Sequence, residues 1–313
     1  MSTLIDDKPA AGPLPEESTD SPLGPSPLQR FLRDYFSNPV ATGALLVLLT
    51  VILIAVFAPV LSPQNPYDLG QVDIMDSRLP PGSESMGGMP FWLGTDGAGR
   101  DMLSAIFYGL RTSLGVGVMS GVIALLIGMS VGLMAAYFGG RVDNLIMRVV
   151  DVQLSFPAIL VALILLAILG KGIDKIIVAL VVVQWAYYAR TVRASALVER
   201  RREYVEAATC LALSHRRIVF RHLLPNCLPP LIVVGTLQTA HAIALEATLS
   251  FLGIGLPITE PSLGLLISNG FEYMLSGSYW ISFFPGIALL VTIVSINLVG
   301  DQLRDVLNPR LER

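Results

Sequence analysis

Glu203 and Glu206 stand at the head of a polar stretch, 203–226, that reads EYVEAATCLALSHRRIVFRHLLPN and lies between two strongly apolar segments of membrane-spanning length. The chemistry open to it is charge pairing and helix docking, not bond making. Two carboxylates near a helix start suit the positive end of the helix dipole and can also meet a cation on a partner. Val205, Ala208, Leu211 and Ala212 recur at three- and four-residue intervals, which predicts a short amphipathic helix over 203–213. A helix of some three turns is marginal in water, so it needs a surface to dock against. Ala207 and Ala208 leave room for close backbone approach. The combination suits a plug, and an amphipathic surface loop with no partner is the plainer alternative.

Other polar residues fall inside apolar segments. His241 and Glu246 lie five residues apart, and Asn297 and Asp301 lie toward the end of the last apolar run. Ionisable groups at membrane depth are costly, so a pathway- or gate-lining role is the first reading for Glu246, His241 and Asn297. The other reading places Glu246 near the outer end of its span, in water, and makes Asp301 the start of a polar tail. Gly94, Gly97 and Gly99 lack the GxxxxGK[ST] spacing of a nucleotide loop and read as a glycine turn before a helix cap. Cys210 and Cys227 have no metal-ligand or CxxC spacing and read as reduced thiols.

Composition decides which elements position these residues. With 53% hydrophobic and 14% charged residues and a mean hydropathy of +0.65, the chain reads as an all-α polytopic membrane protein and not as a soluble enzyme. Residues 1–27, rich in Pro, Ser, Asp and Glu, are expected to form a disordered tail. Six spans are expected: 41–61, 114–137, 147–169, 173–188, 228–249 and 281–300. Asn38 and Pro39 supply an N-cap and a first-turn proline for the first. Gly115, Gly117, Gly121, Gly128 and Gly132 give the second a small-residue surface for close helix approach. The third carries Asp151, Gln153 and Pro157, expected to face the bundle interior or its end. The fourth ends in Trp185, Tyr187 and Tyr188, read as interfacial aromatics. The connection 62–111 is loaded with Pro and Gly, and no regular domain is evident in it.

Several stretches together resemble one family. Glu206, Ala207 and Ala208, then Ala212, Leu224 and Pro225, reproduce the spacing of the cytoplasmic EAA loop of ABC-importer membrane subunits. FWLGTDGAGRDMLSAIFYGLRTSL at 91–114, LSFLGIGLP and PSLG within 250–280, and INLVGDQLRDVLNPRLER at the end are similar to dipeptide-, oligopeptide- and nickel-type ABC permeases of the C type. The resemblance implies a type I ABC importer permease fold with six transmembrane helices. It divides the chain into a tail, 1–27, a first helix with external loop, 28–111, and a permease core, 112–313. It implies a non-catalytic transport subunit that forms half of a translocation pathway for peptides or similar small solutes. Its expected partners are a second homologous permease, two ATP-binding ABC ATPase subunits, an external substrate-binding protein and the lipid bilayer, with no cofactor, metal or nucleic acid. Glu203, Glu206, Ala207, Ala208, Ala212, Arg216, Arg217, Leu224 and Pro225 become the ATPase-coupling residues. The family's usual glycine is Ala212 here, and His222 stands where isoleucine is common. If that position needs φ > 0, alanine is strained by roughly 1 kcal/mol; either the turn is built differently or the helix runs on.

Orientation follows from the basic residues. Sixteen of the 21 Lys and Arg fall on the side of the termini and the EAA-like loop, which predicts a plasma (inner) membrane protein with both termini cytoplasmic. A proton-coupled secondary transporter should show paired half-repeats with midplane acids, and an intramembrane hydrolase a nucleophile and base; the chain shows neither pattern.

Overall fold

The computed structural model describes residues 26–68, 70–85, 87–257 and 259–307. The expected disordered tail therefore lies outside the described residues up to 25, but its last two residues are ordered. Ser26 and Pro27 open helix α1 (Pro27–Phe36) with a capping box, in which Ser26 Oγ accepts from the Gln29 amide and Gln29 Oε1 accepts from the Ser26 amide.

Asn38 caps α2 (Pro39–Val56) by accepting from the amides of Val40 and Ala41. The helix stops short of the expected 61. Pro59 has no N–H and its ring crowds the carbonyl four residues earlier, so the chain breaks at Phe57 and continues as a single turn, Ala58–Leu61. The connection beyond it, in which no regular domain was evident, carries local structure in its described residues. It holds a 3₁₀ turn at Ile74–Asp76 and a small antiparallel hairpin, β1 (Ser83–Glu84) with β2 (Pro90–Phe91). Its polar side chains are consumed internally: Thr95 Oγ1 donates to the Asp76 carbonyl and accepts from the Leu79 amide, and Trp280 Nε1 donates to the Thr95 carbonyl, 3.1 Å away. Asp96 accepts from the amides of Ala98 and Arg100 and pairs with the Arg100 guanidinium at 2.7 Å.

That knot ends at Asp101, which accepts from Ser104 and so caps α3 (Met102–Phe138). Burial pushes the Asp101 carboxyl up, against the Ser104 hydrogen bonds that pull it down. At 37 residues α3 is about 55 Å long at 1.5 Å per residue, so the interfacial turn and the span are one continuous helix.

The expected third span is broken. α4 (Gly140–Ser155) and α5 (Ala158–Leu169) meet at 90°. Phe156 is extended at φ −92°, ψ 141°, the backbone region that a following proline imposes. The acids of α4 serve helix α6 (Ile173–Glu199), not a bundle interior: Asp151 pairs with Arg190 and Asp143 with Arg193, and Gln153 Nε2 donates to the Val182 carbonyl. The fourth span also runs on past Tyr188 by three further turns to Glu199. Tyr188 is buried against α3 and is not an interfacial aromatic. Among the described residues, five helices are long and apolar enough to cross a membrane, and six spans result if the bent pair counts as one.

The polar island is only half a loop. α7 (Glu203–Cys210) is followed by a turn, and from His215 the chain is helical again. It passes through a π-helical stretch, Ile218–Leu223, into α8 (Leu224–Phe251). Pro225 cannot donate to a carbonyl one turn back, and the wider π turn sits immediately before it. Arg216, Arg217 and Arg221 thus ride on the first turns of a long helix. α9 (Leu263–Phe271), capped by Ser262, packs between α8 and α10 (Trp280–Leu307).

Among the described residues, α3 and α6 share the most extensive helix–helix contact. A Cβ on Gly128 would meet the Trp185 carbonyl and Tyr188 Cβ, and one on Gly132 would meet Val192 Cβ at 3.0 Å. Gly117 and Gly121 face α8 instead, against Ile243 and Thr239, so one helix packs closely on two others. Gly115, expected on the same surface, faces open space. Gly128→Ala should lower thermal stability in detergent by about 1–3 kcal/mol through overpacking, while Gly115→Ala should leave it unchanged or slightly raised. Equal midpoints for the two variants would remove the close-approach account.

Candidate functional site

The residues expected to couple to a partner converge at one end of the bundle. α7 buries one side only. Val205 and Ala208 sink into an apolar cluster with Leu133 and Ala136 of α3, Tyr188, Val192 and Ala196 of α6, and Ile218, Leu223, Cys227 and Leu231 before and within α8. Glu203, Glu206, Ala207, Cys210 and Leu211 are exposed on the other side. Ala207 and Ala208 were both expected to admit a partner backbone. Successive helical residues point about 100° apart, so Ala208 serves the chain's own core and Ala207 alone faces out.

Polar bonds hold this end in register. Tyr204 donates to Glu199 Oε2 at 2.8 Å and accepts from Asn226 Nδ2 at 3.1 Å, joining the end of α6 to α7 and to the start of α8. Burial and the bond to Glu199 push the Tyr204 phenol up to about 12, so it stays a donor at physiological pH. Tyr137, at the end of α3, contacts His215 Nδ1 through its hydroxyl and lies under the Arg200 guanidinium. Arg200 Nη1 also donates to the Ala136 carbonyl at 2.9 Å. Three helix ends are thereby fastened together around α7.

Ala212 settles the question left by the missing glycine. Its φ is +53°, in the left-handed region, so the turn is built as a glycine would build it and the helix does not run on. The Leu213 amide reaches back to the Ala208 carbonyl and the Ala212 amide to the Thr209 carbonyl, which satisfies the end of α7. Alanine carries the steric cost of this backbone, roughly 1 kcal/mol. Leu224 and Pro225 are not in the docking turn at all; they form the first turn of α8. His222 is half-buried and its carbonyl accepts from Asn226.

The expected pathway residues do not share a site. His241 is exposed on α8, Asn297 is half-buried on α10, and Glu246 is fully buried. A water-exposed Glu246 is thus excluded within this chain. Its Oε2 accepts from Ser113 Oγ of α3 at 2.9 Å and its Oε1 from Ser250 Oγ at 2.7 Å, with Ser262 beside it at the cap of α9. Ser113 Oγ also accepts from the Leu263 amide. Spacing in sequence gave no signal of this cluster, because its members come from three separate stretches.

Comparison with known proteins agrees with this architecture. The family model "binding-protein-dependent transport system inner membrane component" matches residues 124–313, and "N-terminal TM domain of oligopeptide transport permease C" matches residues 26–81. The chain is 38% identical to the di/tripeptide transport system permease protein DppC of Pseudomonas aeruginosa, over 94% of this chain and 96% of the relative. It is also 38% identical to the dipeptide transport system permease protein DppC of Bacillus subtilis, over 88% and 83% of the two chains. Among solved structures, a chain of the MetNI methionine ABC transporter in inward facing conformations superposes with a TM-score of 0.54 at 22% identity. That match covers 66% of this chain and 98% of the MetNI chain, a likeness of fold. The chain belongs to the inner membrane components of binding-protein-dependent transport systems and is a multi-pass permease subunit with the type I ABC importer fold.

Proposed function

We propose that this permease imports peptides or similarly small solutes and takes its driving motion from ATPase subunits through α7. The reading rests on one observation: α7 is split between an exposed edge, Glu203, Glu206, Ala207 and Leu211, and a buried edge, Val205 and Ala208. The exposed edge offers two carboxylates and an apolar tip, with Leu211 75% exposed, which suits a cleft on a partner. The buried edge joins α3, α6 and α8, so a push on α7 moves the helices that line any path through the bundle. Arg216 and Arg217, exposed one turn beyond Ala212, add a basic rim to the same face. The peptide class comes from what the DppC relatives are named for. The division into a tail, 1–27, a first helix with external loop, 28–111, and a permease core, 112–313, belongs to the same proposal. So do the second permease, the two ATPases and the external binding protein as partners.

With α7 on the cytoplasmic side, both termini are cytoplasmic and the β1–β2 hairpin is external. Cys210 is exposed and Cys227 is fully buried. A membrane-impermeant maleimide should therefore label Cys210 in inside-out vesicles only, leave Cys227 unlabelled, and label Glu84→Cys from outside only. Reaction of Glu84→Cys from the cytoplasmic face would reverse the proposed orientation.

Glu206→Lys places a like charge at both the helix dipole and the partner contact while leaving every buried side chain in place. The variant should insert at normal levels, retain less ATPase on co-purification, and lose uptake by about tenfold or more, as for removal of a charge-assisted contact. Full uptake with a full complement of ATPase would move the coupling role to Arg216, Arg217 and Arg221. The companion variant, Ala212→Gly, relieves the positive-φ strain and should stabilise the protein by roughly 1 kcal/mol with uptake unchanged. A drop in thermal midpoint would show that the alanine is accommodated without strain.

A further inference from the structure

Helix α1 has no role in coupling or in the external knot, yet its faces are sharply divided. At 100° per residue Leu28, Leu32 and Phe36 form one stripe, bordered on one edge by Phe31 and Tyr35 and on the other by Gln29 and Arg33. Tyr35 is buried within the chain, whereas Leu28, Leu32 and Phe36 are 66%, 44% and 52% exposed. The helix is held in place by its backbone: Gln302 Nε2 of α10 donates to the carbonyls of Asp34 and Tyr35. Gln302 Oε1 accepts from Asn38 Nδ2, the same side chain that caps α2. Only Ser37 and Asn38 separate α1 from a membrane span, so the helix is fixed at the level of that span's first turn.

We infer that α1 lies along the membrane surface with Leu28, Leu32 and Phe36 inserted among the lipids and Arg33 at the level of the phosphates. The occupant of the stripe is lipid because only Ser37 and Asn38 separate it from a membrane span whose side chains Val40, Leu46, Val47 and Leu53 are likewise exposed and apolar. A helix with a strong polar face, an apolar stripe and a basic flank binds at the headgroup boundary, its arginine extending to the phosphates. The Gln302 bonds then couple the lipid-bound helix to the last span, so that α1 sets the depth of both α2 and α10 in the bilayer.

The test uses the full chain in nanodiscs of phosphatidylcholine and phosphatidylglycerol, which present both leaflet faces and so do not depend on the orientation proposed above. A single environment-sensitive fluorophore is attached at Leu32→Cys or at Asp34→Cys, the latter on the polar face, each in a Cys210→Ser background. Lipids bearing a shallow nitroxide should quench the probe at 32 at least about threefold more than the probe at 34, and aqueous iodide should show the reverse order. Equal quenching at the two positions would overturn the inference. So would protection of position 32 from both quenchers, since protein would then cover the stripe.

Discussion

Everything at the working end of this permease depends on how closely α3 lies against α6. Where Gly128 and Gly132 face Trp185, Tyr188 and Ala189, the two backbones come too near for a side chain to fit between them. Dispersion contacts summed over such an interface substitute for the hydrophobic drive that lipid cannot supply between helices. The same approach brings Tyr188, Val192 and Ala196 beside Leu133 and Ala136, and these five make the floor on which Val205 and Ala208 rest. Helix α7 is too short to be stable alone. Its position is a consequence of the two glycines two turns deeper in the bundle.

The arginines of this end divide by what holds them. Arg190 and Arg193 pair with Asp151 and Asp143 across to α4, and Arg200 reaches a carbonyl of α3, so those three brace the chain's own helices. Arg216, Arg217 and Arg221 stand exposed on the helical turns that lead into α8. The basic surplus on this side of the chain thus splits into a structural set and a set turned toward water, where charge affects encounter and partner choice more than stability.

Much of this was legible in the residues, and the misreadings have physical causes. Hydropathy located every long helix, but its windows cannot see where backbone hydrogen bonding fails. That is why the break at Phe57, two residues before Pro59, was missed, and Pro157, beside Phe156, was read as a polar or kinking position within one span. Polarity suggested a loop from 203 to 226, whereas Arg216 to His222 are helical despite their charge because Ile218 and Leu223 anchor that turn in the core. That Glu203, Glu206 and Ala207 share an exposed edge followed from spacing, since helical periodicity assigns faces. Ala208 was grouped with Ala207 because spacing alone does not say which face the chain's own core takes. No regular domain was evident in 62–111 because its order comes from side-chain hydrogen bonds at long separation, such as Trp280 to Thr95, which no local pattern encodes.

Glu246 shows how the two ends of the bundle differ in kind. At the α7 end a broad apolar cluster, non-directional in its contacts, is tied by a few hydrogen bonds from Tyr204, Tyr137 and Arg200. At the other end α3, α8 and the cap of α9 meet through a fully buried carboxylate and the hydroxyls of Ser113, Ser250 and Ser262, an arrangement with narrow distance and angle limits. A buried carboxylate that loses its donors is costly, so these helix ends keep their spacing as a unit. Both α3 and the helical run from His215 to Phe251 are 37 residues long, so each connects the two ends without a break in helicity. The π turn at Ile218–Leu223 and the prolines Pro229 and Pro230 lie near the compliant end of the second run. Motion imposed on α7 would be absorbed in part there, and what remains would reach the Glu246 junction as rotation of a fixed group of helix ends.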